Sequence, residues 1–367
     1  MQPRIVFGTH YQVDEPAYME FLVKRCTSPV QSTYREVVEQ KFAQEVRARG
    51  QDFNTPAGRY AVDLARGLGL ITPNNIWTDK GHLVNLIAEV DSGQGFEEQL
   101  VLTLPERLLH FRVFLEADGA ALLFLARRLI RQGALVNPDT TWNLVAQEMF
   151  VEAYSDYLVI TNNTADRVKL RREIDRIKNK GYEGNSGSHK SFIHMQTLCR
   201  LGLVTRVNSG GSRVYRLPEH PAGIQTGLVT LVDQIPNALA LEKVINDHKP
   251  IEVAASVLQI AFSHYLEDGV APGAESLLPM LIAYYQQIMS TGAPLCSLST
   301  VIEAMQIDLL ARKSQLLPYD AAVQSIVVAQ KQHPKEIRFH VDRRGQPAFL
   351  KLSDDFLREY SEEKSSL

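Results

Sequence analysis

Between Asn162 and Leu217 the chain carries twelve basic side chains (Arg167, Lys169, Arg171, Arg172, Arg176, Lys178, Lys180, Lys190, Arg200, Arg206, Arg213 and Arg216) against the acids Asp166, Glu173, Asp175 and Glu183. That local net of +8 stands in a chain whose formal total is -3. Guanidinium and ammonium groups at this density suit one kind of chemistry, the neutralisation of phosphates on a polyanion with release of its counterions. A second excess, +5, runs from Ala311 to Lys351 and includes the neighbouring pair Arg343 and Arg344. The rest of the chain therefore holds -16, so two basic segments stand out from an acidic body.

Patterns that would make or break bonds are missing. Cys26, Cys199 and Cys296 are odd in number and far apart, with no CxxC or Cys/His metal spacing, which suits reduced core thiols. The ten histidines are scattered, and neither HExxH nor HxH occurs. GxxxxGK[ST], GxGxxG after a strand, and GxSxG are absent too. A nuclease would need an Asp followed by Glu-x-Lys to set carboxylates and a lysine around Mg²⁺. Glu362, Glu363 and Lys364 fall instead in a polar tail, and Glu242 and Lys243 in a helix. The expectation is a protein that is not an enzyme and uses no cofactor or metal.

Length and composition set the scaffold these basic residues need. At 367 residues, 45% hydrophobic and 22% charged, the chain has the makeup of an ordinary folded protein of two or three units. The N-terminus lacks a secretory pattern and no apolar run reaches a membrane-spanning length, so a cytoplasmic protein without membrane contact is expected. The longest apolar stretch, Ala120 to Ile130, is interrupted by Arg127 and Arg128 and suits a buried helix.

In the central segment Asn163 and Thr164 can cap a helix that runs to about Lys180. Leu170, Ile174 and Ile177 form its buried stripe and leave Arg171, Arg172, Arg176, Lys178 and Lys180 outside. Gly181 stops it, and a Gly/Ser loop leads to a second helix ending near Leu201. On that helix Phe192, Met195, Leu198 and Cys199 share one side, and His189, Lys190, Ile193, Thr197 and Arg200 the other. LGLVTRVNSGGSRVYRLP then forms a hairpin turning on Asn208 to Gly211.

Helix, helix and basic hairpin, carried by HMQTLCRLGLVTRVNSGGSRVYRL, resembles the winged helix-turn-helix superfamily over about 55 residues. The resemblance implies that His189, Lys190, Ile193, Thr197 and Arg200 address bases or phosphates in a major groove, and that Arg206, Ser212 and Arg213 of the hairpin lie across the adjacent backbone. The loop between the helices is longer than a tight helix-turn-helix uses. An earlier stretch repeats the theme: Thr55, Pro56, Tyr60, Leu64 and Leu68 suit a capped helix, LGLI at 68–71 parallels LGLV at 201–204, and Thr78, Gly81 and Leu83 resemble a wing exit. This unit is nearly neutral. At the C-terminus a helix from Pro318 to His333 and a hairpin from Ile337 to Leu352 suggest a third copy, with Arg343 and Arg344 at its tip.

The expected architecture is mainly α with small β-hairpin wings: two or three winged helix-turn-helix modules joined by helical connectors. The boundaries are 1–95 for the first module, 96–160 for a connector, 161–220 for the central basic module, 221–295 for a second connector and 296–367 for the last module. Trp142, Phe150, Tyr284 and Tyr285 suit core or subunit contacts. The function expected is non-catalytic duplex DNA binding in a transcriptional, DNA-processing or defence system, with other subunits or a second copy of the chain as further partners. Two alternatives stand beside it, a protein-interaction scaffold and a metal-dependent nuclease with an unrecognised site.

Overall fold

The computed structural model describes residues 3–5, 63–74, 76–87, 102–137, 139–180, 187–209, 212–218, 223–261, 274–290, 295–313, 315–341, 345 and 347–358. Helices predominate, with two small antiparallel sheets. In chain order the named elements are α1 (Asp79–Ile87), α2 (Leu104–Gln132), β1 (Ala134–Asn137), α3 (Asp139–Ile160), α4 (Thr164–Lys180), α5 (Gly187–Arg200), β2 (Thr205–Ser209) and β3 (Ser212–Arg216). They continue with α6 (Gly223–Gln234), α7 (Ala238–Asn246), α8 (Pro250–Ala261), α9 (Ala274–Ser290), β4 (Cys296–Ser297), α10 (Leu298–Lys313), α11 (Tyr319–Gln332), β5 (Ile337–Val341) and β6 (Pro347–Leu352). Cys26, Thr55, Pro56, Tyr60, Arg343, Arg344 and the tail with Glu362, Glu363 and Lys364 lie outside the described residues.

The two LGL segments are alike in geometry as well as in sequence. A helical stretch through 67 closes with Leu68 N donating to Leu64 O, Gly69 N to Arg66 O and Leu70 N to Ala65 O. At the end of α5, Leu201 N, Gly202 N and Leu203 N donate to Thr197 O, Cys199 O and Leu198 O in the same pattern. The glycines take φ +71° and +77°, where a Cβ is disfavoured, and the flanking leucines are fully buried. The turn after α7 repeats the pattern, with His248 at φ +56° in the glycine position. At Gly69 a Cβ would find only Lys80 Nζ, 3.9 Å away. Gly69→Ala should therefore show the backbone penalty alone, about 1–2 kcal/mol, as a lower urea midpoint with an unchanged slope.

The first sheet has the order β1-β3-β2, with Leu135 opposite Tyr215 and Val207 opposite Val214. Strand β1 comes from the stretch read as a connector; four residues, ALVN, are too few to show an alternating pattern. The sequence reading paired α4 with α5 as one helix-turn-helix, but each packs on α3, and α5 also packs on α2. Leu170, Ile174 and Ile177 do form the buried stripe of α4, and Gln147 of α3 donates to Ile177 O at 3.1 Å. Helix α4 is thus an additional helix laid along α3, within the order α2-β1-α3-α4-α5-β2-β3.

The second sheet repeats the order as β4-β6-β5, inside the run α9-β4-α10-α11-β5-β6. It encloses a separate apolar core that includes Leu281, Tyr285, Val301, Met305, Ile326, Ile337 and Leu350. The larger core gathers α2, α3, α5, α6, α8 and the LGLI turn. Helix α10 joins the two, giving Ala304, Ile307 and Leu310 to the larger core and Val301, Met305 and Leu309 to the smaller. Phe150 and Tyr285 are buried, as their types suggested, and Tyr284 touches both cores. Among the described residues no helix is long and apolar enough to cross a membrane.

Candidate nucleic-acid interface

Helix α4 begins where Asn163 Oδ1 accepts the Asp166 amide at 3.1 Å, an N-cap of the expected kind. With one stripe held against α3, the rest of its circumference faces outward, and Lys169, Arg171, Arg172, Arg176 and Lys178 are all exposed. Lys169, Arg172 and Arg176 follow each other at i, i+3, i+7 on one flank; Arg171 and Lys178 lie a further two turns apart on the other. Arg176 pairs with Glu173 at 2.8 Å, an exposed contact of little net strength. Arg167 instead points inward and donates to the carbonyls of Leu158 and Thr161, both at 3.1 Å, tying the start of α4 to the end of α3.

The helix expected to read bases is placed differently. His194, Met195, Gln196, Thr197 and Leu198 are all at most 3% exposed. Five consecutive positions at 100° per residue sweep more than a full turn, so the middle of α5 has no free face. Thr197, expected on the reading side, is instead buried in the core. The cause is enclosure by α2, α3 and the sheet: His194 Nδ1 meets Asp118 of α2, and Gln196 Nε2 donates to the buried Tyr215 hydroxyl of β3 at 3.1 Å. Arg200 at the end of α5 and Arg206 of β2 are exposed. His189, Lys190 and Ile193 lie on the α5 backbone and Ser212 and Arg213 on β3; their side chains, and that of Lys180, are outside the described set.

The C-terminal unit is also partly covered. At the start of α11 the Tyr319 amide donates to Glu252 Oε1 of α8 at 2.7 Å, Asp320 pairs with Lys249 at 3.1 Å, and His248 stacks on the Tyr319 ring at 4.9 Å. One of the amides that a helix N-terminus would offer to a phosphate, that of Tyr319, is thus engaged by the neighbouring helix. Arg338 and Lys351 of the hairpin remain exposed.

A set of buried charges was missed by the sequence reading. They centre on one stretch of α2, where Arg112, Glu116 and Asp118 interrupt the apolar run HFRVFLEADGAALLFL; that interruption was the available signal. Arg112 Nη2 reaches Glu303 of α10 at 2.9 Å and Glu116 at 3.1 Å, and Lys80 of α1 pairs with Glu116. Arg4 donates to the Glu116 carbonyl and accepts from the Ala120 amide, two groups that a regular helix pairs with each other. Its guanidinium also grips Glu242 of α7 at 2.6 and 2.8 Å, and Tyr157 donates to the same carboxylate at 2.5 Å. Arg4, α2, α3 and α7 meet at this turn.

Electrostatics follow from the burial. Burial pushes Glu303 up, with Arg112 opposing it. Burial also works to raise Glu116, but Arg112 and Lys80 outweigh it and hold that carboxyl below its ordinary value. Lys80 is lowered by burial and Asp79 raised by it. Burial, with a smaller push from Asp79, drives the Cys296 thiol up to about 12, so it stays protonated and inert at neutral pH. These groups lock helices together in the interior.

No family model, curated protein or solved structure matches this chain.

Proposed function

We propose that the protein is a non-catalytic, duplex-DNA-binding component of a transcriptional, DNA-processing or defence system, built on two units of winged-helix kind. The observation that carries this reading is the exposed basic face of α4, held rigidly on a unit whose helix and strand order, α2-β1-α3-α5-β2-β3, is that of a winged helix with α4 added. The α9-to-β6 unit has the same order and supports the plural. The N-terminal LGLI segment suits a third unit: its chain reverses between Ile71 and Trp77, which bridge each other, and Thr78 caps α1.

A fluorescence-anisotropy titration with random duplex DNA at low and moderate salt tests it. Binding should be salt-dependent in the native chain and lost when Arg171, Arg172 and Arg176 are changed to Glu; no binding at low salt overturns the reading. A second reading, an interaction scaffold, is favoured by one observation, the docking of the α11 N-terminus against α8. That result would leave it as the better account.

A further inference from the structure

We infer that α4 grips the phosphate backbone of duplex DNA without reading sequence, taking over the contact that the recognition-position helix α5 would otherwise make. This rests on the DNA-binding reading and specifies its mode. Two observations carry it. The middle of α5 is enclosed on every side, from His194 to Leu198, so that stretch is committed to the core and has no side chain free to reach a base edge. The outward face of α4 is furnished instead with long cationic side chains, interleaved with the exposed Asp175 and the half-buried Glu173, and its one carboxamide is Asn179 near the helix end.

Charge spacing fits a backbone. From Lys169 to Lys178 the axial rise is about 14 Å, a length that faces about eight phosphate charges of a duplex. Five exposed cations spread over both flanks of that length can address the two strands bordering a groove, and each neutralises a phosphate whatever the base behind it. The anchorage is stiff. Leu170, Ile174 and Ile177 are buried, and Gln147 and Arg167 tie the two helices through backbone carbonyls. The side chains are therefore presented from a fixed rail.

The test uses the full-length chain with duplexes of random, A·T-rich and G·C-rich sequence, titrated across salt, alongside the variant Arg171→Ala/Arg172→Ala/Arg176→Ala and the variant Lys190→Ala/Arg200→Ala. Five phosphate contacts give a log-log salt slope of about -4.5, which is about a 500-fold loss of affinity between about 50 and 200 mM salt. In the triple variant the slope falls to about -1.8 and the same change of salt costs only about 12-fold. The three duplexes should bind within about threefold of each other, below the roughly tenfold that one wrong base pair gives a base-reading protein. Far-ultraviolet circular dichroism and the urea midpoint of the triple variant should match the native chain, because the replaced side chains lie outside the core. A tenfold or larger sequence preference that vanishes in Lys190→Ala/Arg200→Ala and survives in the triple variant overturns the inference while leaving the DNA-binding reading intact. Tighter binding of double-stranded RNA overturns the assignment to DNA. Failure to bind any duplex at low salt overturns the reading, and the inference with it.

Discussion

Arg112→Leu lowers the free energy of unfolding by about 3–5 kcal/mol, the range expected when one partner of a buried ion pair is removed and the other is left in place. Glu303 is 2% exposed and has Arg112 at 2.9 Å as its counter-ion; Glu116 keeps Lys80 but loses a guanidinium at 3.1 Å. The pH dependence has a definite sign. Burial already pushes Glu303 up, and without Arg112 nothing on α2 opposes it, so the folded variant binds protons more tightly than the unfolded chain. A group whose folded pKa is raised loses stability as pH rises through that pKa, so the deficit of the variant is larger at about pH 7.5 than at about pH 5. Urea unfolding of both proteins at the two pH values measures it. The double variant Arg112→Leu/Glu303→Leu should recover most of the loss, because replacing both ions with apolar groups removes the desolvation penalty along with the attraction. A single-variant loss below about 1 kcal/mol would mean that the Arg112–Glu303 contact is not a locked buried pair.

Gly81→Ala should unfold the N-terminal segment or destabilise it at or beyond the upper end of the about 1–3 kcal/mol typical of overpacking. A Cβ at Gly81 would stand 2.2 Å from the Leu70 carbonyl oxygen and 3.3 Å from Trp77 Cβ. The carbonyl cannot retreat easily. It accepts from the Thr78 amide at 3.0 Å and the Thr78 hydroxyl at 3.1 Å, and Leu70 itself is fully buried. Gly69, twelve residues earlier, supplies the contrast, since its Cβ position is open and its substitution meets only the backbone preference. Thermal unfolding followed by the fluorescence of the two tryptophans, Trp77 and Trp142, separates the two: Gly81→Ala shifts the transition several times further than Gly69→Ala. Equal shifts would show that the close approach of α1 to the LGLI turn is not present in solution.

Local signals were sufficient where one element's own residues decide its form. The Asn163 cap, the 170/174/177 stripe and the Gly turns within both LGL segments follow from side-chain capping, periodicity and left-handed backbone preference. The C-terminal hairpin, Ile337–Val341 and Pro347–Leu352, was legible for the same reason. The outward basic face of α4 was legible too, since a helix with one apolar stripe has its charges elsewhere.

Which neighbours surround an element is set by groups far away in the chain. Thr197 has the polarity and the helical phase of a surface residue, and only the closing of α2, α3 and the sheet around α5 buries it. The pairing of β1 with β3 joins residues about eighty positions apart, beyond the reach of any local pattern. Arg112, Glu116, Asp118 and Glu303 look, one by one, like solvated charges on helices; burial is affordable only because each finds a partner from another element. The sequence by itself determined the helices, the turns and the concentration of positive charge on α4. The tertiary structure alone decided that the middle of α5 is sealed inside while α4 is left facing outward, because enclosure depends on the sum of long-range contacts and no single segment encodes that sum.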